Sequence, residues 1–187
     1  MDSLESMNAE AVARSLLEDY PRRWKHVRGV AQRLELLQRL TIADERELLR
    51  SAALLHDIGY APEIAVTGFH ALDGANYLES IGVSKRLCAL VAHHSCAYRE
   101  AQLRGLSVEL ARWSDEKGTL RDALWWADMT TGPDGDTTSV HERIAEIQAR
   151  YGPDDLVAVF IRQAEPELVA AVERTEARLR GAGVAVK

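Results

Sequence analysis

The sequence predicts an all-α protein, and three observations point there. Apolar residues recur at spacings of three and four through most of the chain, which lines them along one face of a helix. The strict alternation of a half-buried strand is absent. The breaks between apolar stretches carry helix caps and helix terminators rather than hairpin signals.

The elements follow in order. Asn8 is placed to cap a first helix running through Glu18, which Pro21 interrupts. Val27, Val30, Leu34 and Leu37 form the buried stripe of a second. A third opens near Asp44 and carries Leu48, Leu49, Ala52 and Leu55, and Gly59 marks its end just past His56 and Asp57. The fourth spans about Phe69 to Ile81 and stops at Gly82. Ser84 caps a fifth, whose Leu87, Leu90 and Val91 lead into His93 and His94. Ala97 to Lys117 reads as two short helices broken near Gly105, and a further helix covers Leu120 to Met129. The tract TGPDGD at 131–136 is a loop by composition. Ser139 and Glu142 have the spacing of a capping box for the next helix, which Gly152 and Pro153 end. Two last segments are divided near Pro166. There is no internal repeat.

The 187 residues suffice for a single domain over 1–187, with a core at about 20–135 and C-terminal helices at about 139–180 packed on it. Acidic residues outnumber basic ones 29 to 23, giving a formal charge of -6. Such a surface repels double-stranded nucleic acid, which is therefore not the expected partner. Cys88 and Cys96 form no CxxC pair and are too few for a disulfide scaffold, so reduced thiols and a cytoplasmic location are expected. The opening MDSLESMNAEA lacks the apolar core of a signal peptide, and no apolar run approaches a membrane span.

Chemistry concentrates in the histidines and two aspartates. Neighbours on an ideal helix point about 100° apart and do not share a partner. At a helix end that geometry relaxes, and His56–Asp57 stands just before Gly59. The pair is a sensible metal-binding corner. His26 lies four residues before Val30, on the core-facing side of its helix, and Asp128 follows Trp125, Trp126 and Ala127 into the core. A buried carboxylate is costly unless paired, and a metal ion pairs it. His26, His56, Asp57 and Asp128 make a ligand set without thiolate, suited to iron, manganese, zinc, cobalt or nickel. Arg22 and Arg23 lie four and three residues before His26, and Arg23 is the candidate phosphate clamp. Trp24, Trp125 and Trp126 read as core, and His141 as exposed without a role. No glycine-rich nucleotide loop is present.

The order His26, His56–Asp57, Asp128 resembles the H…HD…D pattern of the HD superfamily. The local text carries it: RWKHVRGVA, AALLHDIG and ALWWADMTT, spread over roughly residues 20 to 135. The resemblance implies a helical bundle with a metal site at its centre. It implies one or two divalent transition-metal ions and hydrolysis of a small phosphorylated substrate. In two-metal members Asp57 would bridge the ions, and His70, with His94 or else His93, would complete the second site. The segment FHALDGANYL is similar to small bacterial HD hydrolases of dinucleoside polyphosphates, and it also fits the di-iron HD oxygenases. Three readings follow. The first is a phosphohydrolase using a metal-activated water, with His56, Asp57 and Arg23 as its catalytic residues. The second is a mixed-valent di-iron oxygenase, and the third a non-catalytic metal-binding module. The chain departs from the family pattern at Tyr60, where a basic residue is common, and it lacks a GYP motif.

Overall fold

The apolar stripes become helices in a computed structural model, which describes residues 3–186. The helices are α1 (Ser3–Leu17), α2 (Pro21–Arg33), α3 (Ala43–Leu55), α4 (His70–Ser80) and α5 (Lys85–Ala92). They continue with α6 (Ala97–Arg104), α7 (Ser107–Leu110), α8 (Thr119–Met129), α9 (Val140–Tyr151) and α10 (Leu156–Gly181). Short 3-10 turns cover Leu34–Leu37, Ile58–Tyr60 and His94–Cys96. No strand forms among the described residues; Thr131 and Thr137 make one isolated bridge that closes the 131–137 loop.

Local chemistry explains most boundaries. Pro21 sits in the first turn of α2, where its missing N–H costs nothing. Asp44 and Glu45 in the first turn of α3 complement the helix dipole. Ser84 caps α5, and the capping box of Ser139 and Glu142 is complete at the start of α9. Gly105 ends α6 at a φ of 71°, in the left-handed region that glycine adopts without strain.

Four boundaries differ from the sequence reading. Asn8 lies inside α1 rather than at its start, because Leu4, Glu5 and Met7 before it are good helix formers. The stripe ending in Leu34 and Leu37 leaves α2 at Arg33 and continues as a 3-10 turn, still buried. The fifth helix stops at Ala92, short of both histidines. Pro166 does not divide the last segment: α10 is continuous across it. Pro166 and Arg162 are both exposed, so water can satisfy the Arg162 carbonyl that the ring leaves without a donor.

Packing places the site at the centre. α3 lies against α1, α2 and α8, while α10 runs across α8, α9 and α6. Trp125 and Trp126 on α8 are among the largest fully buried side chains. Two glycines permit close approach where the site is built. A Cβ on Gly59 would stand 2.0 Å from the His70 carbonyl oxygen, so the turn after α3 touches the start of α4. A Cβ on Gly29 would stand 2.7 Å from the Gly135 backbone, so α2 seats directly on the 131–137 loop.

Candidate metal centre

Five chain segments converge. α2 brings Arg23 and His26, the end of α3 brings His56 and Asp57, and the first residue of α4 is His70. His94 and Ser95 follow α5, and Asp128 comes from α8. His56 keeps helical backbone angles while Asp57 turns out of the helix at φ -103° and ψ 4°. That change lets consecutive side chains face one centre, which a regular helix would prevent.

The histidines share one hydrogen-bonding habit. Nδ1 of His26 lies 3.0 Å from the Gly132 carbonyl oxygen, Nδ1 of His56 2.8 Å from that of Ala53, and Nδ1 of His94 2.6 Å from that of Val91. A carbonyl oxygen only accepts, so each Nδ1 carries the proton and donates it. In the neutral form of such a ring Nε2 is left as the lone-pair nitrogen, and all three Nε2 atoms are aimed at the centre. Nε2 of His26 stands 3.0 Å from Asp128 Oδ1, and Nε2 of His56 stands 3.6 Å from Asp57 Oδ1. Asp57 Oδ1 also faces Nε2 of His70 at 3.6 Å and of His94 at 4.0 Å. His93 takes another direction: its Nε2 meets the Trp113 carbonyl at 2.8 Å, and its own carbonyl accepts from Trp125 Nε1.

Both carboxylates are buried and ionised. Burial alone would raise Asp57, but Arg23, with His56, His26 and His70, outweighs it and holds the carboxyl well below the usual range. Burial likewise opposes ionisation of Asp128, and the hydrogen bond from His26 with the charges of His56 and His26 prevails. His70 is pushed below the usual imidazole range by burial and then by His94, and His94 by burial and then by His56. Neutral imidazole is the metal-binding form.

These residues fit a divalent cation. Nε2 of His56 is buried with no hydrogen-bond partner. Nε2 of His70 and of His94 stand 3.0 Å apart, and the His94 nitrogen is a lone pair because its Nδ1 donates to Val91. Ligand atoms of His26, His56 and Asp128 lie within 4.8 Å of one another, as do those of His56, Asp57 and His94. Nitrogen and carboxylate donors without a thiolate suit manganese, iron, cobalt, nickel or zinc.

The comparison with known families decides the relationship: an HD-domain model matches residues 23–164. The chain belongs to the HD-domain family. HD domains are mostly metal-dependent phosphohydrolases, and this chain's buried histidine and aspartate groups have the composition and spacing to bind a divalent cation. The HD match runs past residue 135, so α9 and the start of α10 belong to the HD region as well. Neither the comparison with curated proteins nor that with solved structures returned a match. Among the described residues of this HD protein, no helix is long and apolar enough to cross a membrane. Cys88 and Cys96 are both free and buried.

Sequence reasoning assigned no role to three side chains of this HD site. Ser95 donates to Asp128 Oδ2 in a very short hydrogen bond. Tyr60 is stacked on His70, with ring centroids 4.1 Å apart, and carries the Arg23 guanidinium 3.8 Å from its ring centroid. Glu100, paired with Arg104, lines the inner cavity, and its carboxyl is raised by burial. Tyr60 stood out in the sequence only as a departure from the family pattern after the HD doublet; Ser95 and Glu100 carried no local signal.

Proposed function

We propose that this HD-family protein is a metal-dependent phosphohydrolase acting on a nucleotide or another small phosphate ester or anhydride. The observation that carries this reading is the set of three histidines that donate Nδ1–H to backbone carbonyls. Their Nε2 atoms face the two buried carboxylates of Asp57 and Asp128. His26, His56, Asp57 and Asp128 would hold one cation; His70 and His94, with Asp57 shared, would hold a second. A bound divalent cation neutralises phosphoryl charge and acidifies a water molecule. The protein's part is positioning. The carbonyls of Gly132, Ala53 and Val91 fix the rings, and Ser95 orients Asp128. Arg23 bonds Asp57 Oδ2 at 2.5 Å and keeps its side chain 21% exposed, so it reaches from the buried ligands to solvent. There it would bind a phosphoryl oxygen, a role that guanidinium geometry suits.

The test is phosphate release by chelator-stripped protein reconstituted without oxygen with manganese, cobalt, nickel or ferrous iron. Metal should restore turnover, and Asp128→Ala should lower it at least roughly 100-fold. By elemental analysis Asp57→Ala should lose both ions and His70→Ala one. Turnover that needs iron and consumes oxygen in step with product would make the protein an oxygenase instead. No metal-dependent turnover on any phosphate ester would leave a binding module.

A further inference from the structure

α9 carries two arginines that the chemistry proposed above leaves unused. Arg143 is only 5% exposed; its Nη1 bonds Glu146 Oε2 at 2.5 Å, and its buried Nε has no hydrogen-bond partner. Arg150 lies two turns further on the same helix and bonds the same Glu146 oxygen at 3.1 Å. Two guanidinium groups therefore share one carboxylate. Removing a cation from water with its donors unmet is unfavourable unless an anion arrives to complete it.

Both arginines face the metal centre. They line a cavity of about 460 Å³ together with Arg22, Arg23, His26 and Tyr60. With Arg23 and Tyr60 they also line the narrower space that reaches Asp57 and Asp128. The outer cavity thus gathers Arg22, Arg23, Arg143 and Arg150 against the single carboxylate of Asp19. In a chain of net charge -6 this is a local reversal of sign, and a concave positive site concentrates anions. Arg22 is engaged by exposed Asp134 and Arg23 by Asp57. The surplus positive charge lies on α9.

We infer that Arg143 and Arg150 form a second anion subsite, and that the substrate carries two adjacent phosphoryl groups, as in a diphosphate. The inference rests on the phosphohydrolase reading. One phosphoryl group sits at the metal centre beside Arg23 and the other between the α9 arginines. Water adds to the phosphorus at the metal centre, and the bridging P–O bond breaks. The bond's electron pair leaves on the departing phosphate, whose charge Arg143 and Arg150 receive. Of the two water protons, one stays on a product phosphate and one passes to solvent.

Calorimetric titration of the full chain, free of divalent metal, compares methylenediphosphonate, which has a non-hydrolysable P–C–P link, with inorganic phosphate. The diphosphonate should bind at least roughly tenfold tighter, and Arg150→Gln should cut that preference by about tenfold. Arg150 keeps its side chain 32% exposed, so its replacement spares the fold where Arg143→Gln, at a buried position, could disturb it. With manganese present, the ratio of kcat/KM for a nucleoside diphosphate over the monophosphate should fall in Arg150→Gln. Equal binding of the two probes, no diphosphonate binding at millimolar concentration, or a preference that Arg150→Gln leaves intact overturns the subsite. Metal-dependent phosphate release from monophosphates alongside such a result would sink the subsite and keep the hydrolase. An Arg150-dependent diphosphonate preference without any phosphate release would keep the subsite and sink the hydrolase.

Discussion

Ser95 holds Asp128 from a backbone position that few residues adopt. Its φ is 44° and ψ 51°, and Cys96 beside it has a φ of 60°. Two successive non-glycine residues in the left-handed region cost roughly 1–2 kcal/mol each. The surrounding core bears that strain, and the result is that His94 and Ser95 both face the centre after α5 has ended. Removing the hydroxyl leaves Asp128 Oδ2 without its donor. Ser95→Ala should therefore bind manganese or zinc roughly tenfold more weakly in competition with a chelating dye. Ser95→Gly loses the same bond but relieves the backbone, so it should unfold later than Ser95→Ala by ~1 kcal/mol in denaturant. Unchanged affinity in both variants would remove Ser95 from the site.

At the scale of elements, α10 is fastened to α6 by one carboxylate. Glu167 accepts from Tyr98 Oη at 2.5 Å and from Arg99 Nε at 3.0 Å. Burial acts to raise the Glu167 carboxyl, but the bonds from Tyr98 and Arg99 prevail and hold it below its ordinary value, while the Tyr98 hydroxyl is pushed up to about 12. A depressed carboxyl stabilises the fold above its unfolded-state pKa of roughly 4.3 and loses that contribution as pH falls through the folded value. The side chain is 39% exposed, so solvent screening limits the gain. Glu167→Gln should cost under about 1 kcal/mol at pH 7, with the gap to wild type closing as melts are taken to pH 3. A gap that widens on acidification would contradict the assignment. The same helix shows how position overrides a local breaker: Pro166 is tolerated because its side of α10 faces water.

For the whole molecule, the candidate ligands come from segments far apart in the chain, with His26 and Asp128 separated by 102 positions. A cation held between them would tie α2, α3, α4 and α8 together. We propose that residues 1–187 unfold as one unit and that the ion stabilises that unit. At a manganese concentration of about 100 times its Kd the gain is ~2.7 kcal/mol, a rise in Tm of roughly 5–10 °C for a chain of this size. Chelation should reverse it, and Asp128→Asn should show no rise. A melting curve indifferent to manganese and to chelator would mean that no ion binds the folded state.

The sequence by itself determined the helix order up to Pro166, the family, and where along the chain the histidines and aspartates stand. Those features are local: periodicity, caps such as Ser139 with Glu142, and the His56–Asp57 doublet ahead of Gly59 are written within a few residues of one another. It left His93 and His94 open because the choice assumed a helix that in fact ends at Ala92. Tertiary structure alone decided that His94 points at Asp57 while His93 turns to the Trp113 carbonyl. It decided that Nδ1 of His26 meets the Gly132 carbonyl, 106 positions away, and that Arg143 and Arg150 reach the same cavity as Arg23. The physical reason is that burial and hydrogen-bond satisfaction are properties of a place in the fold. A ring nitrogen's proton, a carboxylate's charge and an arginine's missing partner depend on neighbours that only the packed helices bring together.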